Sequence, residues 1–238
     1  METWTVEKLI RSATGYLQQK GSPSSRLDAE LLLAQALGCD RVKLYMEFDR
    51  PLDEATIADY RSLIARRAAR EPVAYILGHA HFRRLRLMVD RSVLIPRPET
   101  EELVEVVLEI LRRRPAWGAL DSAPPIIIAD VGTGSGAIAL SIAQETGLRV
   151  LATDTSGEAL KVAAANATAT GLESLVEFRE TDLLAGTPDG SLHLVVRNPP
   201  YVTSGDLKTL APDICLYEPA AALDAGVDGL DVFRRLLP

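Results

Sequence analysis

The chain has 238 residues, of which 47% are hydrophobic and 25% charged, with a formal net charge of −7. That acidic balance argues against extended contact with nucleic-acid phosphates, and no run approaches the roughly 18 apolar residues of a membrane span. The length exceeds the usual single domain of about 100 to 200 residues, so two domains are expected.

The first part of the chain reads as helical. Val6, Leu9, Ile10, Ala13 and Leu17 recur at helical spacing. Ser25 with Asp28 has the form of a capping box ahead of Leu31, Leu32 and Ala36. Asp53 is placed to cap a third helix that carries Ile57, Tyr60, Ile64 and Ala68. Arg66, Arg67 and Arg70 form a short basic cluster, read either as a solvated helix face partly balanced by Glu71 or as a docking patch that Arg83, Arg84 and Arg86 extend. Residues 82–89 alternate at Leu85, Leu87 and Val89, the mark of a strand and of one arm of a hairpin between two domains. Pro96-Arg97-Pro98-Glu99 starts a helix, with Glu99 favourable to its dipole. That helix covers residues 99–114 and turns Leu103, Val104, Val107, Leu108 and Leu111 inward; the stretch 115–125 breaks it.

Pro124-Pro125 introduces the apolar run 126–131, which passes directly into Gly132-Thr133-Gly134-Ser135-Gly136 and then a helical pattern at 137–143. This is strand, glycine loop, helix. Glycines there permit positive φ and close approach of a ligand to the backbone, and the helix N-terminus offers free N–H groups. The loop lacks the lysine of a phosphate-binding P-loop, and its GxGxG spacing differs from the dinucleotide fingerprint. The next strand, 149–153, ends at Asp154, about 20 residues past the glycines, where a carboxylate can accept from ribose hydroxyls. A third strand, 175–180, leads to Asp182 and Leu183. Polar residues recurring at strand ends make a ligand site at the carboxyl edge of a parallel sheet.

The fourth strand, 192–197, runs into Asn198-Pro199-Pro200-Tyr201. One reading is a plain turn, since Asn and Pro punctuate loops. The other is a cradle for an NH2 group. An amide or ring-conjugated amino nitrogen is a poor nucleophile because its lone pair is delocalised. The Asn198 side-chain oxygen and the Pro199 carbonyl can occupy its two hydrogens and aim the lone pair at an electrophile. Tyr201 can lie flat against a planar amide or base. His79, His81 and His193 have neither the spacing nor the cysteine companions of a tetrahedral metal site, so no metal is expected. Cys39 and Cys215 are too few and distant for a disulfide framework. With no apolar signal core in residues 1–20, they fit a reducing cytoplasm.

Glycine loop, strand-end carboxylates and Asn-Pro-Pro-Tyr together resemble a class I methyltransferase that binds S-adenosylmethionine. The resemblance narrows with Arg70-Glu71-Pro72-Val73-Ala74-Tyr75-Ile76-Leu77-Gly78, with residues 93–101 and 26–32, and with 218–223 and 228–230. Over nearly all of its length the chain is similar to the bacterial release-factor glutamine methyltransferases. That family's activity would be methyl transfer to the side-chain amide of the glutamine in the GGQ motif of peptide chain release factors. Carried over by position, the cofactor residues would be Gly132, Thr133, Gly134, Ser135, Gly136, Asp154, Asp182, Leu183 and Asn198. The substrate-amide residues would be Asn198, Pro199, Pro200 and Tyr201. Beside its helix-entry reading, Pro96-Arg97-Pro98-Glu99 has a functional reading as a lid over the cofactor, and Glu218-Pro219 is either a plain loop, the reading the sequence alone favours, or, by the resemblance, part of a wall near the substrate. Arg197 departs from the family pattern, in which a small residue, most often serine, precedes the asparagine. The resemblance further implies strands that would follow Pro238, which would leave the fourth strand as an open apolar edge.

The expected fold is α/β: a Rossmann-like methyltransferase sheet (99–238, its C-terminal strands absent) with a helical substrate-recognition domain (1–72) and a β-hairpin linker (73–98). The expected partner is the GGQ-containing domain of a release factor, in the cytoplasm, with neither membrane nor direct nucleic acid. Two other readings stand beside it: an amino-group methyltransferase acting on DNA or RNA, and a fragment that binds cofactor without turnover.

Overall fold

Thr5 begins the helical part by accepting the Lys8 N–H, and α1 (Val6–Gln19) buries Val6, Leu9, Ile10, Ala13 and Leu17 along one stripe, as their spacing predicts. The computed structural model describes residues 3–114 and 127–236. They divide into two units: one runs to Leu77 and includes Ala211–Tyr217, and the other comprises Gly78–Leu210 and the chain from Glu218 onward.

In the helical unit, α2 (Ser25–Leu37), α3 (Arg41–Met46), α4 (Glu54–Ala68) and the short α5 (Val73–Leu77) follow α1. Tyr60 of α4 is buried and donates to the Ala29 carbonyl of α2. Asp53 caps α4 as expected, accepting from Thr56 N at 2.8 Å. The capping box at Ser25 does not form. Ser24 takes the cap position without a side-chain bond, Ser25 donates instead to the Ser22 carbonyl, and Asp28 is held by Arg67.

The three arginines of the basic cluster on and just after α4 are each held by a carboxylate of the helical unit. Arg67 is 4% exposed, its Nε 2.7 Å from Asp28 Oδ2, and it also donates to the Glu71 carbonyl and to Ser22. Arg66 grips Glu71 through two bonds, at 2.8 and 2.7 Å. Arg70 pairs with Asp213 at 2.9 Å. In the second unit, Arg83 is likewise engaged with Glu105 and Glu145.

The alternating residues form β2 (Leu85–Met88), the second arm of an antiparallel hairpin whose first arm, β1 (His79–Phe82), ends at Phe82. Their buried Phe82, Leu85 and Leu87 share a core with Val104, Val107, Leu108 and Leu111 of α6 (Pro98–Arg112) and with the sheet. Each such side chain contributes roughly 1.5 to 3 kcal/mol by leaving water.

The sheet contains β3 (Ile128–Val131), β4 (Val150–Asp154), β5 (Val176–Glu180) and β6 (Leu194–Val196), all parallel, in the order β5-β4-β3-β6. Ile126, expected in the first of these strands, lies outside the described residues, as does the helix-breaking stretch 115–125. α7 (Ala137–Thr146) links β3 to β4, and α8 (Gly157–Thr170) links β4 to β5. No helix is found between β5 and β6; Leu183, Leu184 and Leu192 of that connection pack on Ala129, Val131 and Leu151. Strands run outward from β3 on one side, and β6 returns on the other. The switch point between β3 and β6 is where such sheets bind ligands, at the carboxyl ends of the strands.

Candidate active site

The glycine loop sits at that switch point. Gly132, Gly134 and Gly136 have φ of 74°, 55° and 82°, conformations that a side chain strains. Gly136 has a second reason: a Cβ there would stand 3.1 Å from Leu140 and 3.3 Å from Ala163. The loop is pinned from three sides. Gly132 N and Thr133 N both donate to the Thr153 carbonyl of β4. Asp154, at the end of β4, accepts from Gly134 N at 2.9 Å and from Ser156 N at 3.0 Å. Asn166 of α8 donates to the carbonyls of Ser135 and Met88 while accepting from Met88 N, so one buried amide joins the loop to β2.

Beneath the loop, Asp130 is fully buried. Its Oδ2 accepts from Thr133 Oγ1 at 2.7 Å and from Ala139 N, in the first turn of α7, at 3.1 Å. Its Oδ1 has no partner among the described residues. Burial pushes this carboxyl up to about 6, although the Thr133 and Ala139 bonds favour its charged form.

Over this edge opens a cavity of about 610 Å³. Of the residues singled out in the sequence, Gly132, Thr133, Gly134, Ser135, Asp154, Asp182, Leu183, Asn198 and Pro200 line it. Gly136, Pro199 and Tyr201 do not. Gly136 is the N-cap of α7, and Tyr201 is 72% exposed. Asn198 is half-buried, and its amide nitrogen donates to Thr100 Oγ1 of α6 at 3.3 Å, which leaves the side-chain oxygen as a free acceptor among the described residues.

Two further walls include segments already singled out in the sequence. Pro96 and Arg97 line one, just ahead of α6. Residues 219–226 contribute to the other, and the buried Glu218 ties the two together by accepting from Ile95 N at 3.3 Å and pairing with Arg97. The second wall is joined to the Asn-Pro-Pro-Tyr segment by a parallel bridge between Val202 and Asp224. Finally, α10 (Asp231–Leu236), which follows the four-residue α9 (Pro212–Cys215) in the chain, brings Asp231, Val232 and Arg235 to the cavity, and Arg235 pairs with Asp182. Nothing in local patterning marks Glu218 or Arg235, because their partners lie far away in sequence. Asp130 carried one signal, a carboxylate in an otherwise apolar strand directly before the glycines.

Arg197 also lines the cavity. Its guanidinium lies against the open side of Gly132, 3.6 to 3.9 Å from where a Cβ would stand, and its Nε is buried with no partner among the described residues. Burial lowers its pKa, with Asp154 opposing.

A parallel sheet with this glycine loop, strand-end carboxylates and an asparagine at the switch point defines a Rossmann-like methyltransferase. The model of the methyltransferase small domain matches residues 119–226. The fold also matches the crystal structure of the hMettl16 catalytic domain in complex with a MAT2A 3′UTR hairpin, at a TM-score of 0.52 and 18% identity over 74% of this chain and 61% of that one. Residues 8–78 match the PrmC N-terminal domain. Curated relatives named release factor glutamine methyltransferase are similar along almost the whole chain. The Geobacter sulfurreducens protein is 43% identical over 100% of this chain and 79% of its own length. The Koribacter versatilis protein is 42% identical over 98% and 80%, and the Rhodopirellula baltica protein 39% over 98% and 78%. The chain belongs to the release factor glutamine methyltransferase family.

Proposed function

We propose that the chain transfers a methyl group from S-adenosylmethionine to the side-chain amide nitrogen of the glutamine in the GGQ motif of peptide chain release factors. The observation that carries this reading is Asn198: it stands at the end of β6 in the cavity wall, with its nitrogen on Thr100 and its oxygen free to accept. A cavity of about 610 Å³ suits a ligand of this size. The positive-φ glycines fit close approach of the cofactor, and Asp154 is placed for its ribose hydroxyls. When bound, the cofactor supplies an already activated methyl group.

The protein's part is orientation. Asn198 Oδ1 and the Pro199 carbonyl accept from the two amide hydrogens, so the nitrogen lone pair faces the methyl group rather than spreading into the amide. Pro199 and Pro200 hold that backbone stiff, and Tyr201, exposed in the free chain, is available to lie on the amide plane. The new N–C bond would replace the methyl–sulfur bond, whose electron pair stays with the departing thioether, and the nitrogen, cationic after transfer, loses one proton to solvent. We assign substrate recognition to the helical unit, residues 1–77 with 211–217, and methyl transfer to the unit of residues 78–210 and 218–238, in which the hairpin expected as a linker lies. We place the protein in the cytoplasm; no described helix is long and apolar enough to cross a membrane.

The test is to incubate the chain with methyl-labelled S-adenosylmethionine and, separately, a release factor, the same factor with its GGQ glutamine changed to alanine, and duplex DNA. Label on the unaltered factor alone is the expected result. Label on both factors or on DNA overturns the substrate assignment, and no label despite intact cofactor binding overturns turnover.

A further inference from the structure

A permanent cation lies inside a cavity assigned here to a cationic cofactor. Arg197 sits at the C-terminal end of β6, with its guanidinium against Gly132. The charged groups lining the cavity are Arg97, Arg197 and Arg235 against Asp154, Asp182, Asp224 and Asp231. Most are committed elsewhere. Arg97 is paired with Glu218 and Arg235 with Asp182, Asp154 accepts two backbone N–H groups, and Asp224 accepts from Ser204 and Gly226. Asp130, underneath, already serves Thr133 and Ala139. Arg197 is the cation of the set for which no ion pair is recorded among the described residues, and its Nε has no hydrogen-bond partner there.

We infer that Arg197 sets the balance between the two forms of the cofactor, weakening the methylated sulfonium form relative to the demethylated thioether product. This rests on the S-adenosylmethionine reading of the cavity. The two ligands carry the same adenosine, ammonium and carboxylate, and differ by one methyl and one positive charge at sulfur, so the ratio of their affinities isolates that charge. The guanidinium and the cofactor's sulfur would share this one cavity, at a separation taken as about 10 Å. One unit of like charge at that separation, at an effective dielectric of about 20 to 40, shifts affinity roughly tenfold. Arginine stays protonated at any working pH, so the bias does not titrate away. Its consequence for the reaction is product retention: the spent cofactor competes with fresh cofactor more strongly than it would in a cavity without this charge.

The experiment is isothermal titration of the full chain with S-adenosylmethionine, S-adenosylhomocysteine and sinefungin, whose amine restores a positive charge near the sulfur position. The proteins are the wild type, Arg197→Lys, Arg197→Gln and Arg197→Met, the last two being independent neutral replacements. The ratio of the dissociation constants, sulfonium over thioether, is expected to fall roughly tenfold in both neutral variants, with sinefungin following the sulfonium. It is expected to stay near the wild-type value in Arg197→Lys. Equal shifts for both ligands, an unchanged ratio in a neutral variant that still binds the thioether, or a lysine variant that behaves like the neutral ones overturns the inference. A wild-type chain that binds none of the three overturns the cofactor reading itself, a different and separable result.

Discussion

Replacing Asp130 by asparagine is expected to change how stability depends on pH. The carboxyl is fully buried under the glycine loop, with one oxygen accepting two hydrogen bonds and the other accepting none among the described residues. Its folded value of about 6 stands above the ordinary 3.8. Between those two values the folded chain holds a proton that the unfolded chain has released, so stability falls as pH rises from about 4 through about 6 and levels off above. The gap amounts to about 3 kcal/mol. The asparagine side chain would keep an acceptor for Thr133 and Ala139 and cannot ionise. The amide placed where Oδ1 now stands adds an unsatisfied donor, costing about 1 to 3 kcal/mol at every pH. Urea unfolding at intervals from pH 4 to pH 8 separates the two effects. The constant offset cancels, and the difference in stability between wild type and Asp130→Asn should move by about 2 kcal/mol in favour of the variant between pH 4 and pH 7. A difference that stays flat across that range, or moves the other way, refutes the argument that burial controls this group.

Other expected outcomes concern single contacts. Asn198→Ala removes the free acceptor in the cavity wall and should lower kcat at least about 100-fold while changing cofactor affinity little; turnover near wild type would remove the amide cradle. Asp154→Ala frees the Gly134 and Ser156 N–H groups and should weaken S-adenosylmethionine binding about tenfold or more by titration. Unchanged affinity would exclude the ribose role. Arg67→Ala leaves Asp28 buried without its cation, at a cost of about 3 to 5 kcal/mol in chemical unfolding. A cost below about 1 kcal/mol would mean that water reaches Asp28.

Periodicity located α1, α4 and α6 because each buries one stripe of its surface, a pattern contained within the helix itself. α3 went unread for the opposite reason: it is six residues long and buries only Leu44. The strand, glycine loop and helix at 128–146 were legible because positive φ and close packing leave few residue choices there. The arginine cluster was legible only in part: Glu71, the partner of Arg66, is near in sequence, but the other partners come from afar. Asp28 lies 39 residues from Arg67, and Asp213 lies 143 from Arg70. The same holds for the cavity. Its floor was visible in local motifs, whereas the clamp between Arg97 and Glu218 and the pairing of Arg235 with Asp182 depend on residues separated by 121 and 53 positions. A side chain's charge is local information, but its partner is a property of the fold.

The helical unit is discontinuous in the chain: residues 211–217 belong to it although most of it ends at Leu77. Asp213 supplies the carboxylate for Arg70 and stands 3.8 Å from Arg67, while Tyr217 donates to the Ala69 carbonyl. A gene segment encoding residues 1–77 therefore does not encode the unit, and its product would leave Arg70 without its carboxylate while Arg67 kept Asp28. Recombination that exchanged this helical module between relatives at a single crossover near residue 77 would bring along an Arg70 matched to one parent and an Asp213 inherited from the other. The two positions are expected to travel together or change together, which makes the module heritable as a pair of segments rather than as a block.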